Sequence, residues 1–247
     1  MDEDAQRRAS TKASINLLLS TNSEDLTPLF AGLADRWSEI RKESANQLAK
    51  AGTTLTKDIK NKIADHLLQI VNGKSSQQKQ WQEMHGALCG LRTLIEMKEG
   101  LEKKQLDDIK GVCVSAYFQG HVRLPVREEA RRCVLNIFTS SIQAQVQTKD
   151  KSEEQQELIN LVISSLEFRL TSTIDTNSAP SAPSSSSSSS SSEVLAYELD
   201  GLLNTLHGML QVLSISLIET IVSVPKLLKL LMNSAANSNS TVRQIAG

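Results

Sequence analysis

The sequence predicts an all-α protein, an α-solenoid of about four to five stacked antiparallel helix pairs. Apolar residues recur every three or four positions over most of the 247 residues, which is the period of an amphipathic helix. An aliphatic residue followed by a polar or basic one returns at intervals of roughly 40 residues. Aromatic residues make up only 3% of the chain, so leucine, isoleucine and alanine must supply the core.

The segment from Leu26 to Gly52 defines the repeating unit. Its first half carries apolar residues at helical spacing, with Pro28 in the first turn, where its missing N–H costs nothing. Ser38 is predicted to cap a second helix, which ends at Gly52. The buried face of that second helix is predicted to hold Ile40, Ser44, Ala45, Leu48 and Ala51. One such pair cannot bury its apolar faces alone, so it needs stacked neighbours.

The start of the second helix recurs along the chain. Its register points Ile40, Met84 and Val126 are 44 and 42 residues apart. Val242 follows Val126 by 116 residues, which is too long for two units without an insertion. Leu199, which lies 43 residues before Val242, is then a fourth register point.

The remaining elements follow from the same spacing. Helices are predicted over residues 14–20, 57–71, 81–97, 106–118, 126–146, 158–170, 193–213 and 216–232, with the start of one more at 241. The serine run from Ser184 to Ser192 has no apolar surface to offset the entropy of ordering. The predicted organisation is a flexible N-terminus (1–13), HEAT-like repeats (14–172), a disordered Ser-rich insertion (173–192) and further repeats (193–247). The last repeat lacks most of its second helix, which predicts a fragment of a longer protein.

The segment LTPLFAGLADRWSEIRKESANQLAKAG, together with the recurring register, resembles the HEAT/armadillo family of helical repeats. The segment WQEMHGALCGL is similar to units in the HEAT region of the ATPase that removes TATA-binding protein from DNA. The WSEIRK turn is similar to units in the large helical-repeat regulators of tRNA methyltransferases. The resemblance implies that Arg41, Arg127 and Arg243 belong to a structural ladder between repeats, each paired with an aspartate.

Charge and composition narrow the class of protein. The formal net charge of −1 gives no reason to expect non-specific attraction to nucleic acid or to an anionic membrane. The N-terminus, MDEDAQRR, does not have the pattern of a signal or transit peptide. Charged residues and a proline interrupt the most apolar window, 209–232, so a membrane span is not predicted. We therefore expect a soluble protein of the cytoplasm or nucleus, with Cys89, Cys113 and Cys133 as buried thiols.

Neither catalysis nor a cofactor is predicted. Gly73-Lys74-Ser75 resembles the end of a phosphate-binding loop, but Leu68 stands where that motif needs a glycine. The histidines have none of the spacings that place two metal ligands on one helix; they are His66, His85, His121 and His207. Stacking could bring His85 near His121, but packing or surface roles are favoured.

Two features are candidates for binding a partner. Four arginines form what we call the basic ridge: Arg123, Arg127, Arg131 and Arg132. The ridge could grip an acidic peptide or a phosphate backbone. It could equally be a solvated face compensated by Glu128 and Glu129, which is the favoured interpretation.

The second candidate is Trp37, which would be a contact hot spot if exposed. For Trp37 and Trp81 alike, filling the gap between adjacent units is favoured, because tryptophan is usually buried. The predicted function is a non-catalytic scaffold or regulatory module that binds a protein partner, in a larger complex. The alternative is a nucleic-acid- or nucleoprotein-associated regulator that uses the basic ridge, and no membrane role is expected.

Overall fold

A computed structural model describes residues 5–6, 9–13, 15, 25–73, 81–97, 100–119, 121, 123–143, 150–176, 189–212, 229 and 232. Every regular element in these ranges is a helix. The helices are α1 (Thr27–Leu33), α2 (Ser38–Ala51), α3 (Lys57–Asn72), α4 (Trp81–Glu96), α5 (Lys103–Val114), α6 (Ala116–Gln119), α7 (Leu124–Gln143), α8 (Asp150–Thr176) and α9 (Ser189–Val212). The predicted all-α class is confirmed.

The chain divides into two compact units, residues 1–112 and 113–247, with similar helix packing, although α7 also packs on α8 in the second unit. In the first unit α1 packs on α2, and α4 packs on α1, α2 and α3. In the second unit α6 packs on α7, and α9 packs on α6, α7 and α8. Each unit is therefore two helix pairs whose second helices lie side by side. This is the stacked helix-pair fold of HEAT and armadillo repeats, as predicted.

Buried aliphatic side chains at helical spacing hold the pairs together. The four described register points, Ile40, Met84, Val126 and Leu199, are all buried. Helix α3 shows how sequence sets the boundaries, since the Thr56 hydroxyl accepts a hydrogen bond from the Ile59 N–H at its start. At its end Gly73 adopts a φ of 35°, a conformation that favours glycine.

Three local predictions are wrong. Trp37, not Ser38, is the N-cap of α2, and Ser38 is the first helical residue. Ala51 is partly exposed and does not belong to the buried face. The helix predicted over 106–118 is broken at Ser115 into α5 and α6. The Gln119 side-chain amide stabilises this break by donating a 2.7 Å hydrogen bond to the Cys113 carbonyl.

Several predicted segments lie wholly or largely outside the described residues. They are the 14–20 segment, of which only Ile15 is described, the elements beyond residue 212, and Arg243 with them. In the predicted flexible N-terminus, 1–13, the described residues 5–6 and 9–13 are helical. Helix α8 extends to Thr176 and α9 begins at Ser189, so each enters the predicted insertion, 173–192, by four residues. Residues 177–188 are not described, and the disordered insertion stays a prediction.

Cys89, Cys113 and Cys133 are all buried, as predicted, and none forms a disulfide within the described residues. Among the helices of the described ranges, none has the length and apolar character needed to cross a bilayer.

Candidate functional site

The turn that precedes α2 is fixed by one aspartate and one arginine. The Asp35 carboxylate oxygen Oδ1 accepts a 2.9 Å hydrogen bond from the backbone N–H of Trp37. Arg41 Nη1 donates to the backbone carbonyls of Asp35 and Arg36, at 2.7 and 2.9 Å. Carbonyls in a turn have no helical partner, so a guanidinium that satisfies two of them stabilises the turn.

The turn that precedes α7 repeats this arrangement with different residues. His121 Nδ1 accepts a 3.1 Å hydrogen bond from the N–H of Arg123, and Arg127 Nη1 donates to the His121 carbonyl at 3.0 Å. His121, Arg123 and Arg127 each lie 86 residues after their counterparts in the first turn. Burial lowers the pKa of His121, and the charges of Arg127 and Arg123 lower it further.

In the first unit, Arg41 also joins α2 to the neighbouring helix α4. Its Nε donates a 3.0 Å hydrogen bond to His85 Nδ1, and its guanidinium carbon lies 5.3 Å from the centre of the Trp81 ring. The residue is only 1% exposed, and burial lowers the pKa of Arg41. Trp81 is half-buried and fills space between pairs, as predicted for it.

In the second unit, Arg127 occupies the same place between α7 and α9. Its guanidinium carbon lies 4.8 Å from the centre of the Tyr197 ring. Burial raises the pKa of Asp200 on α9, while the charges of Arg127 and Arg131 act to lower it. Asn204 Nδ2 donates to the Asp200 carboxylate at 3.1 Å.

The arginine–aspartate ladder implied by the family resemblance is therefore only partly present. In the second unit an aspartate, Asp200, lies in the electrostatic field of Arg127. In the first unit the side-chain partner of Arg41 on the next pair is His85. Both partners follow a register point directly, since His85 follows Met84 and Asp200 follows Leu199.

One glycine in each unit allows a helix to approach the turn before its neighbour closely. Gly86 brings α4 to the turn before α2, and Gly201 brings α9 to the turn before α7. A Cβ on Gly86 would overlap the backbone carbonyl of Leu33, and a Cβ on Gly201 would overlap that of Gln119. Beside Gly201, the Thr205 hydroxyl donates a 2.8 Å hydrogen bond to Gln119 Oε1. Both turns are thus clamped from a second side by the neighbouring helix.

The basic ridge is partly neutralised by its own helix. Arg131 Nη2 lies 2.9 Å from Glu128 Oε2, and Arg132 Nη1 lies 3.3 Å from Glu129 Oε2. Arg123 is exposed, as the ridge interpretation requires. Whether the four arginines bind a partner stays a prediction.

Trp37 differs from the gap-filling role that sequence reasoning favoured. Its side chain is 41% exposed, and the Arg36 guanidinium carbon lies 5.3 Å from its ring centre. The backbone beneath it is the turn held by Asp35 and Arg41. The ring is therefore presented to solvent from a fixed position.

The sequence alone did not single out Tyr197, Asp200 or the paired roles of Asp35 and His121. One signal was available, because DRWSEIR and HVRLPVR, which begin at Asp35 and His121, share an aliphatic residue followed by arginine at the same offset. Tyr197 and Asp200 carried no such signal. Helices α8 and α9 are longer than α3 and α4, so Asp200 does not lie 86 residues after His85.

A separate cleft of about 350 Å³ opens in the first unit. Its lining includes Lys60 and Thr93, which are buried, and Glu96, which is exposed. The Glu96 carboxylate lies 2.6 Å from Arg92 Nη1, so the acidic group at the cleft is already paired.

Comparison with known proteins adds no family to this description. No protein-family model matches the chain, and no curated protein matches it. An engineered protein of solved structure is 14% identical, covers 100% of this chain and 91% of its own, and superposes with a TM-score of 0.38. A designed armadillo repeat protein in complex with the peptide (KR)4 is 13% identical, covers 98% and 87%, and gives the same TM-score of 0.38. Likeness at this level leaves the question of function to the geometry.

Proposed function

We propose that the protein is a non-catalytic interaction scaffold that binds a protein partner at the turns before its second helices. The observation that carries this proposal is the exposed ring of Trp37 on the turn fixed by Asp35 and Arg41. Exposed tryptophans are enriched among the residues that contribute most to protein binding. Because the turn is already ordered, binding there loses little conformational entropy.

The second unit presents a comparable group. Tyr197 is 40% exposed and stacks against Arg127, so its ring is also held in place by its own unit. Aromatic and arginine side chains together are the residues that protein interfaces favour. A regulatory role, membership of a larger complex, and residence in the cytoplasm or nucleus belong to the same proposal.

The alternative, a nucleic-acid- or nucleoprotein-associated regulator using Arg123–Arg132, has less support. Glu128 and Glu129 compensate two of the four arginines. Arg127 is stacked on Tyr197, the aromatic ring beside the ridge, so that ring is less open to a base. A salt titration of RNA and DNA binding separates the alternatives, because phosphate contacts weaken steeply with salt.

Affinity purification from native cells with quantitative mass spectrometry tests the proposal. Three baits are compared: wild type, Trp37→Ala, and Phe168→Ala as the matched control. Phe168 is 65% exposed on α8, so its loss removes an exposed aromatic ring that belongs to neither turn. We expect the partners of the wild type to be retained by Phe168→Ala and lost by Trp37→Ala. The same partners at the same level with Trp37→Ala would show that the turn is not the binding surface.

A further inference from the structure

Arg127 is the surface counterpart of the buried Arg41. Arg41 uses Nη1 for two turn carbonyls and Nε for His85, so its hydrogen-bonding capacity is largely taken up inside the fold. Arg127 also uses Nη1 for a turn carbonyl, but it is only partly buried. Within the described part of the chain, Nε and Nη2 of Arg127 donate no hydrogen bond. One edge of its guanidinium is therefore available.

Tyr197 and His121 orient that edge. The ring of Tyr197 lies 4.8 Å from the guanidinium carbon, and the His121 carbonyl accepts from Nη1 at 3.0 Å. Two contacts of this kind restrict both the plane and the rotation of the guanidinium. A planar fork held in this way is suited to bind a carboxylate through two parallel hydrogen bonds.

Arg123 and Arg131 flank Arg127. Arg123 lies in the turn directly before α7, and Arg131 follows Arg127 by four residues, one turn further along the same helix face. Arg123 is exposed and Arg131 is partly exposed. Two acidic residues accompany these arginines. Glu128 pairs with Arg131, and Asp200 lies on α9 three residues after Tyr197, the ring that stacks on Arg127.

We propose that Arg123, Arg127 and Arg131 form a carboxylate-binding face for an acidic segment of the protein partner, with Asp200 as the internal anion that the segment competes against. This proposal rests on the proposed scaffold function and names the chemistry of its partner. Glu128 and Glu129 already compensate two of the four ridge arginines, which leaves little positive charge for a phosphate backbone. The planar guanidinium of Arg127 suits a carboxylate, so an acidic protein segment is the better fit.

Fluorescence anisotropy with a labelled octaglutamate peptide at low salt tests the face on the full chain. Asp200→Asn removes the competing charge and keeps an oxygen that Asn204 can bond. It should bind the peptide roughly three- to tenfold more tightly than the wild type. Arg127→Gln should weaken binding about tenfold, because a charged hydrogen-bonding partner is lost. Arg132→Gln removes the same charge from the same helix at a residue paired with Glu129, and it should leave binding unchanged.

The tighter octaglutamate binding expected of Asp200→Asn tests the proposal whether or not Arg127→Gln folds. No measurable octaglutamate binding by the wild type, or no tightening in Asp200→Asn, would overturn it. A single-stranded RNA of equal length that binds more tightly than octaglutamate would also overturn it, in favour of a phosphate-binding face.

The affinity purification distinguishes failure of the carboxylate-binding proposal from failure of the scaffold proposal. If Arg127→Gln keeps partners that Trp37→Ala loses, the scaffold proposal stands and the acidic segment is rejected. If both variants lose the same partners, both proposals are supported.

Discussion

Arg41 and Arg127 each donate a hydrogen bond to the backbone carbonyl of the residue six positions earlier, Asp35 and His121. Those two residues in turn accept the N–H two positions later through their side chains. The two turns therefore share one construction at a spacing of 86 residues. Together with the similar helix packing, this gives the two units a related four-helix arrangement.

Leu48 and Val134 test this correspondence in the core, because they too are 86 residues apart and both are 0% exposed. Leu48→Ala should destabilise the fold by about 2–5 kcal/mol and Val134→Ala by somewhat less, since each leaves a cavity. Val212→Ala, at a position 46% exposed, is the control and should have little effect. Urea unfolding measures all three. Unchanged midpoints for Leu48→Ala and Val134→Ala would refute the assigned register.

Gly86 and Gly201 are expected to tolerate no side chain. Alanine at either position would overlap a backbone carbonyl, so we expect a loss of about 1–3 kcal/mol in the free energy of unfolding. Gly111 on α5 is the matched control, because a Cβ there meets nothing within 4 Å. Gly111→Ala should stabilise the protein by up to about 1 kcal/mol, because alanine favours the helix. In thermal melts, the melting temperature should therefore fall for Gly86→Ala and Gly201→Ala and rise for Gly111→Ala.

Arg41→Gln should cost more stability than Arg127→Gln. The first substitution leaves two turn carbonyls and His85 without their donor in a buried site, and each unmet group costs about 1–3 kcal/mol. Water can replace Arg127 at its partly exposed carbonyl. Guanidinium unfolding of both variants makes the comparison. Equal losses would mean that the two arginines are equally structural, which would weaken the case for Arg127 as a binding residue.

His121 should make stability depend on pH. Its folded pKa is lowered from the ordinary value of about 6.5, so the unfolded chain binds the proton more readily. The stabilising contribution is complete above about pH 6.5 and is lost as the pH falls toward the folded pKa. His121→Asn keeps an acceptor for the Arg123 N–H and does not titrate, so it should flatten this part of the profile.

The comparison must be made as a difference between variant and wild type. The raised pKa values of Glu198 and Asp200 give a contribution of the opposite sign in both proteins. Urea midpoints at pH 5, 6, 7 and 8 measure the difference. Parallel profiles for the two proteins would show that His121 is not the titrating group.

The segment between α8 and α9 should be dispensable for folding if the predicted insertion is disordered. Replacing residues 177–188 with a Gly-Ser linker of equal length should leave helicity and melting temperature nearly unchanged. Halving that linker should also change little, because loop-closure free energy alters by only about 0.6 kcal/mol per twofold change in length. A large loss of circular dichroism signal would show that the segment contributes to the fold.

The register was predictable because it depends on local spacing. Ile40, Met84, Val126 and Leu199 were chosen from the sequence, and all four are buried. The break at Ser115 was not predictable in the same way, since the apolar period continues through it. It depends on a hydrogen bond from Gln119 to the Cys113 carbonyl that only the folded turn reveals.

The candidate site was predictable only in part. The arginines of the basic ridge stood out as charges close together in sequence. The aromatic partner of Arg127 is Tyr197, which lies 70 residues away on another helix. Likewise, Trp37 is an exposed N-cap, whereas the sequence pattern placed the cap one residue later. Contacts between helices distant in sequence decide such details, and periodicity does not report them.

The arginine in each turn bonds a backbone carbonyl, which every amino acid possesses. The residue that supplies this carbonyl must also accept one N–H through its side chain, a requirement that aspartate and histidine meet at positions 35 and 121. The two positions hold chemically different residues in the same turn construction, whereas the donor is an arginine in both turns. Substitutions that keep a side-chain acceptor at position 35 or 121 should therefore preserve the turn while changing the chemistry that it presents.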